Sequence, residues 1–208
     1  MRAVVAVVLG LGLLLGPWVA APAHAGAALD QLRSQIDRVL KVLDDPDMKR
    51  ENRAQNRRQA VRKIAEDIFD FQETAKRSLA RHWQPRTPAE RDEFVRLFAD
   101  LLERSYISKI ELYGGEKIAY LGDQVEGDQA LVRTRIVTKG GAEVPVEYRM
   151  LKKGDRWLVY DVIIEGVSLV ANYRTQFNKI IQTSSYAELV KKMKVKQDEF
   201  IEASTKKS

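Results

Sequence analysis

Residues 157–177, WLVYDVIIEGVSLVANYRTQF, constrain the fold more than any other stretch of the chain. They read as a strand that turns through Glu165-Gly166 directly into an amphipathic helix. In a regular strand Leu158, Tyr160, Val162 and Ile164 fall on one face, and Trp157, Val159 and Ile163 on the other. Only Asp161 interrupts this apolarity. A strand with one face in water alternates apolar and polar residues. This one must be covered on both sides or must face an apolar cavity.

The strand does not belong to a membrane span. The apolar run at the start of the chain, Ala3 to Leu15, follows Arg2 and precedes Ala23-His24-Ala25. That order of charge, apolar core and small-x-small site reads as an export signal cleaved after Ala25, too short to cross a bilayer. The domain reading is therefore a signal peptide at 1–25 and a single domain at 26–208. Within that domain a helical part spans 26–112, a sheet 116–165, and C-terminal helices 166–200. The chain has no cysteine, which excludes disulfides and a thiol-linked lipid anchor, so the core alone must stabilise it.

Two features of charge stand out against the overall +6. Seven of the fifteen residues from Lys49 to Lys63 are basic, and Lys191, Lys192, Lys194 and Lys196 form a second cluster. Nucleic acid is not an expected partner of an exported protein. A solvated helix face explains the segment 49–63; attraction to anionic membranes or acidic docking partners is the alternative.

Leu29, Leu32, Ile36, Val39, Leu40 and Leu43 recur at helical spacing until Asp45-Pro46 stops them. A second helix begins near Asp47, with its apolar stripe at Val61, Ile64 and Ile68, and Phe69-Asp70-Phe71 breaks it. Thr87-Pro88-Ala89-Glu90 is a capping box with proline at the first helical position. The helix it opens carries Phe94, Leu97, Phe98, Leu101, Leu102 and Ser105 to a stop at Gly114-Gly115. From there the period is two. Strands at Lys117–Val125, Ala130–Lys139 and Glu143–Met150 precede the opening strand, with turns at Gly127-Asp128, Gly140-Gly141 and Gly154-Asp155. Pro145 predicts that its strand lies at an edge or has its amide outward. The fold class is α+β, a curved antiparallel sheet of about four strands covered by helices.

The chemistry of catalysis is sparse. Past the leader the single histidine is His82, in Ala80-Arg81-His82-Trp83, which has neither metal-ligand nor triad spacing. Asp161 and Glu165 sit four apart on a strand, about 13 Å at the usual rise, beyond the separation of glycosidase carboxylates. Asp161 is expected to bind an arginine or backbone amides, Glu165 to cap the following helix, and Ser168 to bond backbone. No cofactor and no metal is expected. What the chain has in abundance is apolar surface, either as a filled core or as the lining of a cavity.

The residues Trp157, Tyr160-Asp161-Val162, Glu165-Gly166-Val167-Ser168-Leu169, Tyr173-Arg174 and Phe177 closely resemble the signature of the MlaC family of periplasmic phospholipid carriers. This family is also known for toluene-tolerance auxiliary components. Thr87-Pro88-Ala89-Glu90-Arg91 with Phe94 and Tyr106, and Tyr113-Gly114-Gly115-Glu116, resemble its second and third signatures. The resemblance spans about residues 61–195; Leu79-Ala80 departs from the Leu-Gly common at that point.

The resemblance implies a monomeric periplasmic shuttle that holds phospholipid as cargo and serves outer-membrane asymmetry. Its partners would be the inner-membrane Mla transporter, through MlaD, and the outer-membrane MlaA–porin complex. It implies a nuclear-transport-factor-like sheet capped by helices, with acyl chains between the layers and the head group near solvent. On that reading the pocket takes Phe98, Leu101, Leu102 and Tyr106 from the long helix and Val132, Ile136, Val146, Tyr148 and Met150 from the sheet. Tyr160, Val162, Ile164, Val167, Tyr173 and Phe177 close it, while Asp161, Glu165 and Gly166 are structural. The competing readings are a small enzyme using Asp161 and an acyl-chain chaperone for lipoproteins.

Overall fold

Helix α1 (Ala27–Asp44) starts where a carboxylate from across the chain meets it. Asp123 accepts hydrogen bonds from the Gly26 and Leu29 amides at 3.1 and 3.2 Å, so donors left over by the first turn are satisfied by the sheet. The computed structural model describes residues 26–205, and the expected leader 1–25 lies outside them. A 3-10 turn at Glu51–Arg53 leads into α2 (Ala54–Ile68), later than the start predicted near Asp47. Helix α3 (Phe71–Leu79) is capped by Asp70, whose side chain accepts from the Glu73 amide at 3.0 Å. The predicted box at Thr87 forms reciprocally: the Glu90 carboxylate accepts from the Thr87 amide at 2.7 Å, and the Thr87 hydroxyl from the Glu90 amide at 3.2 Å. It opens α4 (Pro88–Glu111).

Five antiparallel strands follow in sequence order: β1 (Lys117–Glu126), β2 (Gln129–Val137), β3 (Glu143–Lys153), β4 (Arg156–Ile164) and the short β5 (Val167–Ser168). Helices α5 (Leu169–Thr183) and α6 (Tyr186–Thr205) complete the chain. The class is α+β, as predicted, with one short strand more than the four expected. Strand β3 is interior, so Pro145 is not on an edge. It is tolerated because its β4-facing side lies beyond the last β4 residue, where its carbonyl accepts from the Glu165 amide at 3.0 Å.

The regular alternation assumed for β4 does not hold. Met150 pairs with Val159 and Arg149 with Asp161, which leaves Tyr160 as an extra residue, a β-bulge. The inward set is therefore Trp157, Val159, Val162 and Ile164, opposite Lys152, Met150, Tyr148 and Val146. Leu158, Asp161 and Ile163 point the other way. The bulge corrects the predicted faces and shows how the strand can be apolar on both: each is covered. Helices α1 and α2 bring Leu29, Leu32, Ile64 and Ile68 onto the inward face. Helices α3 and α5 pack along β4.

The free edge of β4 is closed as well. Gln31 bonds both the amide and the carbonyl of Trp157, at 2.9 and 2.6 Å. The Asp70 amide donates to the Val159 carbonyl at 2.8 Å, and the Thr74 hydroxyl to the Tyr160 carbonyl at 3.0 Å. No strand template is left exposed there. The outward face of β2 and β3 is polar instead, with cross-strand pairs Arg135–Glu143 at 2.8 Å and Arg133–Glu147 at 3.4 Å.

Because Asp123 joins the start of α1 to the sheet, Asp123→Ala should lower unfolding free energy by about 1 kcal/mol. Urea denaturation followed by tryptophan fluorescence measures this.

Candidate functional site

Helix α4 changes character half-way. Phe94 and Phe98 are fully buried against α5 and α6, in an aromatic group whose Phe98–Tyr173 and Phe98–Phe177 ring centroids lie 5.0 and 5.2 Å apart. From Leu101 to Tyr106 no residue is buried and none is fully exposed. Ile107 then rejoins a small cluster with Leu43 and Val61. Among the described residues helix α4 packs mainly on α3 and α6.

The sheet shows the matching change. On its inward face Val132, Val146, Met150, Val159 and Val162 are buried under α1 and α2. Toward the Gly140-Gly141 hairpin, Ile136, Val144, Tyr148 and Ile164 point the same way yet keep part of their surface accessible. Val39 and Val42 of α1 touch both the sheet cluster and the Ile107 cluster. The two partly accessible sets lie against different clusters: Ile136, Val144, Tyr148 and Ile164 against the sheet core, Leu101 and Leu102 against the aromatic group.

Several hydroxyls lie among these residues. Burial pushes the Tyr148 phenol up to about 12, partly offset by its hydrogen bond to Thr134. The Tyr106 phenol is raised by desolvation and by Tyr173, to which it is hydrogen-bonded. Ser105 donates to the Leu101 carbonyl at 2.8 Å. All of these groups are neutral near pH 7, so nothing in this lining would repel an alkyl chain by its charge.

The fifteen lining residues predicted from sequence fall into three sets. Ile136, Val146, Tyr148, Val132, Met150, Val162 and Ile164 share the inward sheet face, though Val132 and Met150 are sealed in the core. Phe98, Tyr173 and Phe177 belong to the aromatic cluster, with Leu101 and Leu102 packed against it and Tyr106 hydrogen-bonded to Tyr173. Tyr160 and Val167 are elsewhere. The bulge places the Tyr160 ring under the Arg77 guanidinium of α3, 4.1 Å from its centroid, and Val167 is 58% exposed on β5. Val144, Val39 and Val42 also pack against the sheet cluster without having been predicted. Val144 was legible from its alternation with Val146, whereas nothing in the period of α1 reveals that its last turns pass the sheet core.

Asp161 is buried and fully engaged. It accepts from the Ser168 hydroxyl at 2.7 Å, the Val170 amide at 3.0 Å and Arg149 at 3.3 Å. Ser168 in turn accepts from the Ala171 amide at 3.0 Å. These two residues cap α5, so the cap expected of Glu165 is not made; Glu165 forms the turn, at φ 50°, with Gly166 at φ 81°. His82 Nε2 meets Asn178 Oδ1 at 3.0 Å. Among the described residues no group of His, Asp or Glu is arranged to hold a metal ion.

The sequence profile of the MlaC protein family matches residues 33–195. The chain belongs to the MlaC family. The intermembrane phospholipid transport system binding protein MlaC of Haemophilus influenzae is 24% identical over 120 residues, which is 55% of this chain. The chain thus spans about half, 56%, of that relative's length. The solved phospholipid-binding protein of Ralstonia solanacearum, in complex with a phospholipid, superposes with a TM-score of 0.74 at 26% identity. That likeness covers 84% of this chain and 98% of the other. Family and fold thus agree: the chain is a member of the MlaC family and shares the fold of a solved phospholipid-binding protein.

Replacing Asp161 by Asn keeps the shape but removes the charge that Arg149 and the α5 amides meet. It should cost about 2 kcal/mol of stability, read as a lowered urea midpoint. The raised tyrosines make a second prediction. In the unfolded chain Tyr148 ionises at its ordinary 10.0, in the folded protein only near about 12. The unfolded state therefore loses its proton first, and stability falls as pH rises from about 10 to about 12. Tyr148→Phe should reduce that alkaline loss, measured by urea unfolding across the range.

Proposed function

We propose that this protein is a periplasmic carrier that takes phospholipid acyl chains into the gap between the sheet and α4 and moves lipid between the outer and inner membranes. The observation that carries the reading is the pair of inward but half-accessible apolar walls, Ile136/Val144/Tyr148/Ile164 and Leu101/Leu102/Tyr106. The buried neighbours Val132, Val146, Met150, Val162, Phe98, Tyr173 and Phe177 back these walls and hold them apart.

The energetics favour a carrier. Each methylene exposed to water costs about 0.8 kcal/mol, so one long acyl chain forfeits on the order of 10 kcal/mol in crossing bare water. A gap that covers the chains removes most of that barrier. Leaving the head group at the mouth avoids burying a charged phosphate. The carrier performs no reaction and requires no cofactor; its partners are the MlaD component of an inner-membrane transporter and an outer-membrane MlaA–porin complex. It works as a monomer, residues 26–208 forming one lipid-binding domain released by cleavage of the leader at 1–25.

Protein exported and purified without detergent should carry phospholipid, seen as added mass in native mass spectrometry and as lipid on extraction. Filling the gap with Leu102→Trp or Ile136→Trp should remove that mass while the circular dichroism spectrum is kept. A wild-type protein of purely apo mass would overturn the proposal.

A further inference from the structure

Three arginines of the basic segment 49–63 hold the C-terminal half of α4. Arg58 grips Glu111 with two bonds, Nε to Oε1 at 3.0 Å and a second nitrogen to Oε2 at 3.1 Å. Arg57 reaches Glu111 Oε1 at 3.2 Å. Arg62 bridges Asp100 and Glu103, each at 3.0 Å. The acids are the shielded partners, Glu111 at 12% and Asp100 at 18% side-chain exposure, while Arg58 and Arg62 are 43% and 48% exposed.

These pairs span a place where ordinary packing is thin. Helices α2 and α4 have no extensive packing of their own apart from Val61 meeting Ile107. The helix they hold is the one in which no side chain from 101 to 106 is fully buried. Its N-terminal half is anchored by Phe94 and Phe98, so the natural pivot is near Asp100. Its far end runs into Tyr113-Gly114-Gly115, where Gly115 sits at φ 99° with nothing within 4 Å of a built side chain. A glycine in that region, in open space, can absorb a displacement that other residues would resist. The Glu103 carboxyl is raised by desolvation, the mark of an acid held against a low-dielectric wall.

We propose that Arg57, Arg58 and Arg62 form an electrostatic latch that holds the C-terminal half of α4 as a closed wall over the gap, and that release of the latch opens the gap to a lipid. This rests on the carrier reading above, since it assigns the door of the same pocket. Ion pairs suit a door better than apolar packing does. They hold it in register, yet when they open both partners are rehydrated, so the open state exposes little additional apolar surface.

The test measures exchange of a fluorescent phospholipid between the loaded protein and vesicles of neutral phosphatidylcholine. The wild type is compared with Arg58→Gln/Arg62→Gln and with Arg58→Lys/Arg62→Lys. The glutamine variant leaves the more buried Arg57–Glu111 pair intact, and thermal melting checks that it is folded. Exchange should be roughly five-fold faster in the glutamine variant, corresponding to the loss of a few partly exposed ion pairs. The lysine variant should recover most of the slow rate. Wild-type exchange should accelerate with salt, and the glutamine variant should respond far less. Equal lipid content with equal rates, or an equal salt response, overturns the latch alone. Absence of phospholipid from all three proteins overturns the carrier reading on which it stands.

Discussion

The extra residue at Tyr160 is the constraint on which the other parts depend. Upstream of it, Trp157 and Val159 face α1 and α2; without it, Val162 and Ile164 would turn outward and Asp161 inward. A charged carboxylate would then stand among Val146, Met150 and Val132 with no donor to meet it. With the bulge, Asp161 emerges where the first turn of α5 can use it, taking the Val170 amide and the Ser168 hydroxyl. One inserted residue thus completes the inward apolar face and also fixes where the helical cover begins.

From that point the molecule divides its apolar residues between two purposes. The sheet centre is closed by α1 and α2 and supplies stability in a chain without disulfides. The aromatic group of Phe94, Phe98, Tyr173 and Phe177 closes the helical side separately. A single continuous core would have left no room between them. Keeping the clusters apart forgoes some burial, and the compensation is visible at the seams. Gln31 and Asp123 tie α1 to the sheet by hydrogen bonds, and arginines of α2 tie down α4.

How much of this could be read from sequence follows from the range of each signal. The Thr87 box, the Asp45-Pro46 stop and the glycine turns are local, and each formed where its residues predicted. The family signature around Trp157–Phe177 was legible too, because it is a string of residues rather than a contact. The bulge was not: periodicity assumes one residue per step, and an apolar strand shows no polar marker when the step slips. Pro145 left two readings open, an edge strand or an amide turned outward, and the second fits, because β4 ends before the side its nitrogen faces. Segment 49–63 was the hardest. Its arginines look solvent-facing from the helix period, and the acids they meet at Asp100, Glu103 and Glu111 are far along the chain.

A carrier must hold its cargo firmly enough to cross water and loosely enough to give it up, and burial alone sets only the first term. Apolar contact scales with the length of chain covered, so a pocket walled entirely by packed side chains would bind more tightly with each methylene and release more slowly. The remedy is to make one wall cheap to move. On the proposed carrier reading, the sheet wall is built on the bulged β3–β4 ladder and a buried core, which resist displacement. On the α4 side no side chain between Leu101 and Tyr106 is fully buried, and ion pairs add a hold from outside. If this protein is such a carrier, rigidity on one side and an electrostatic hold on the other separate the depth of the pocket from the ease of opening it.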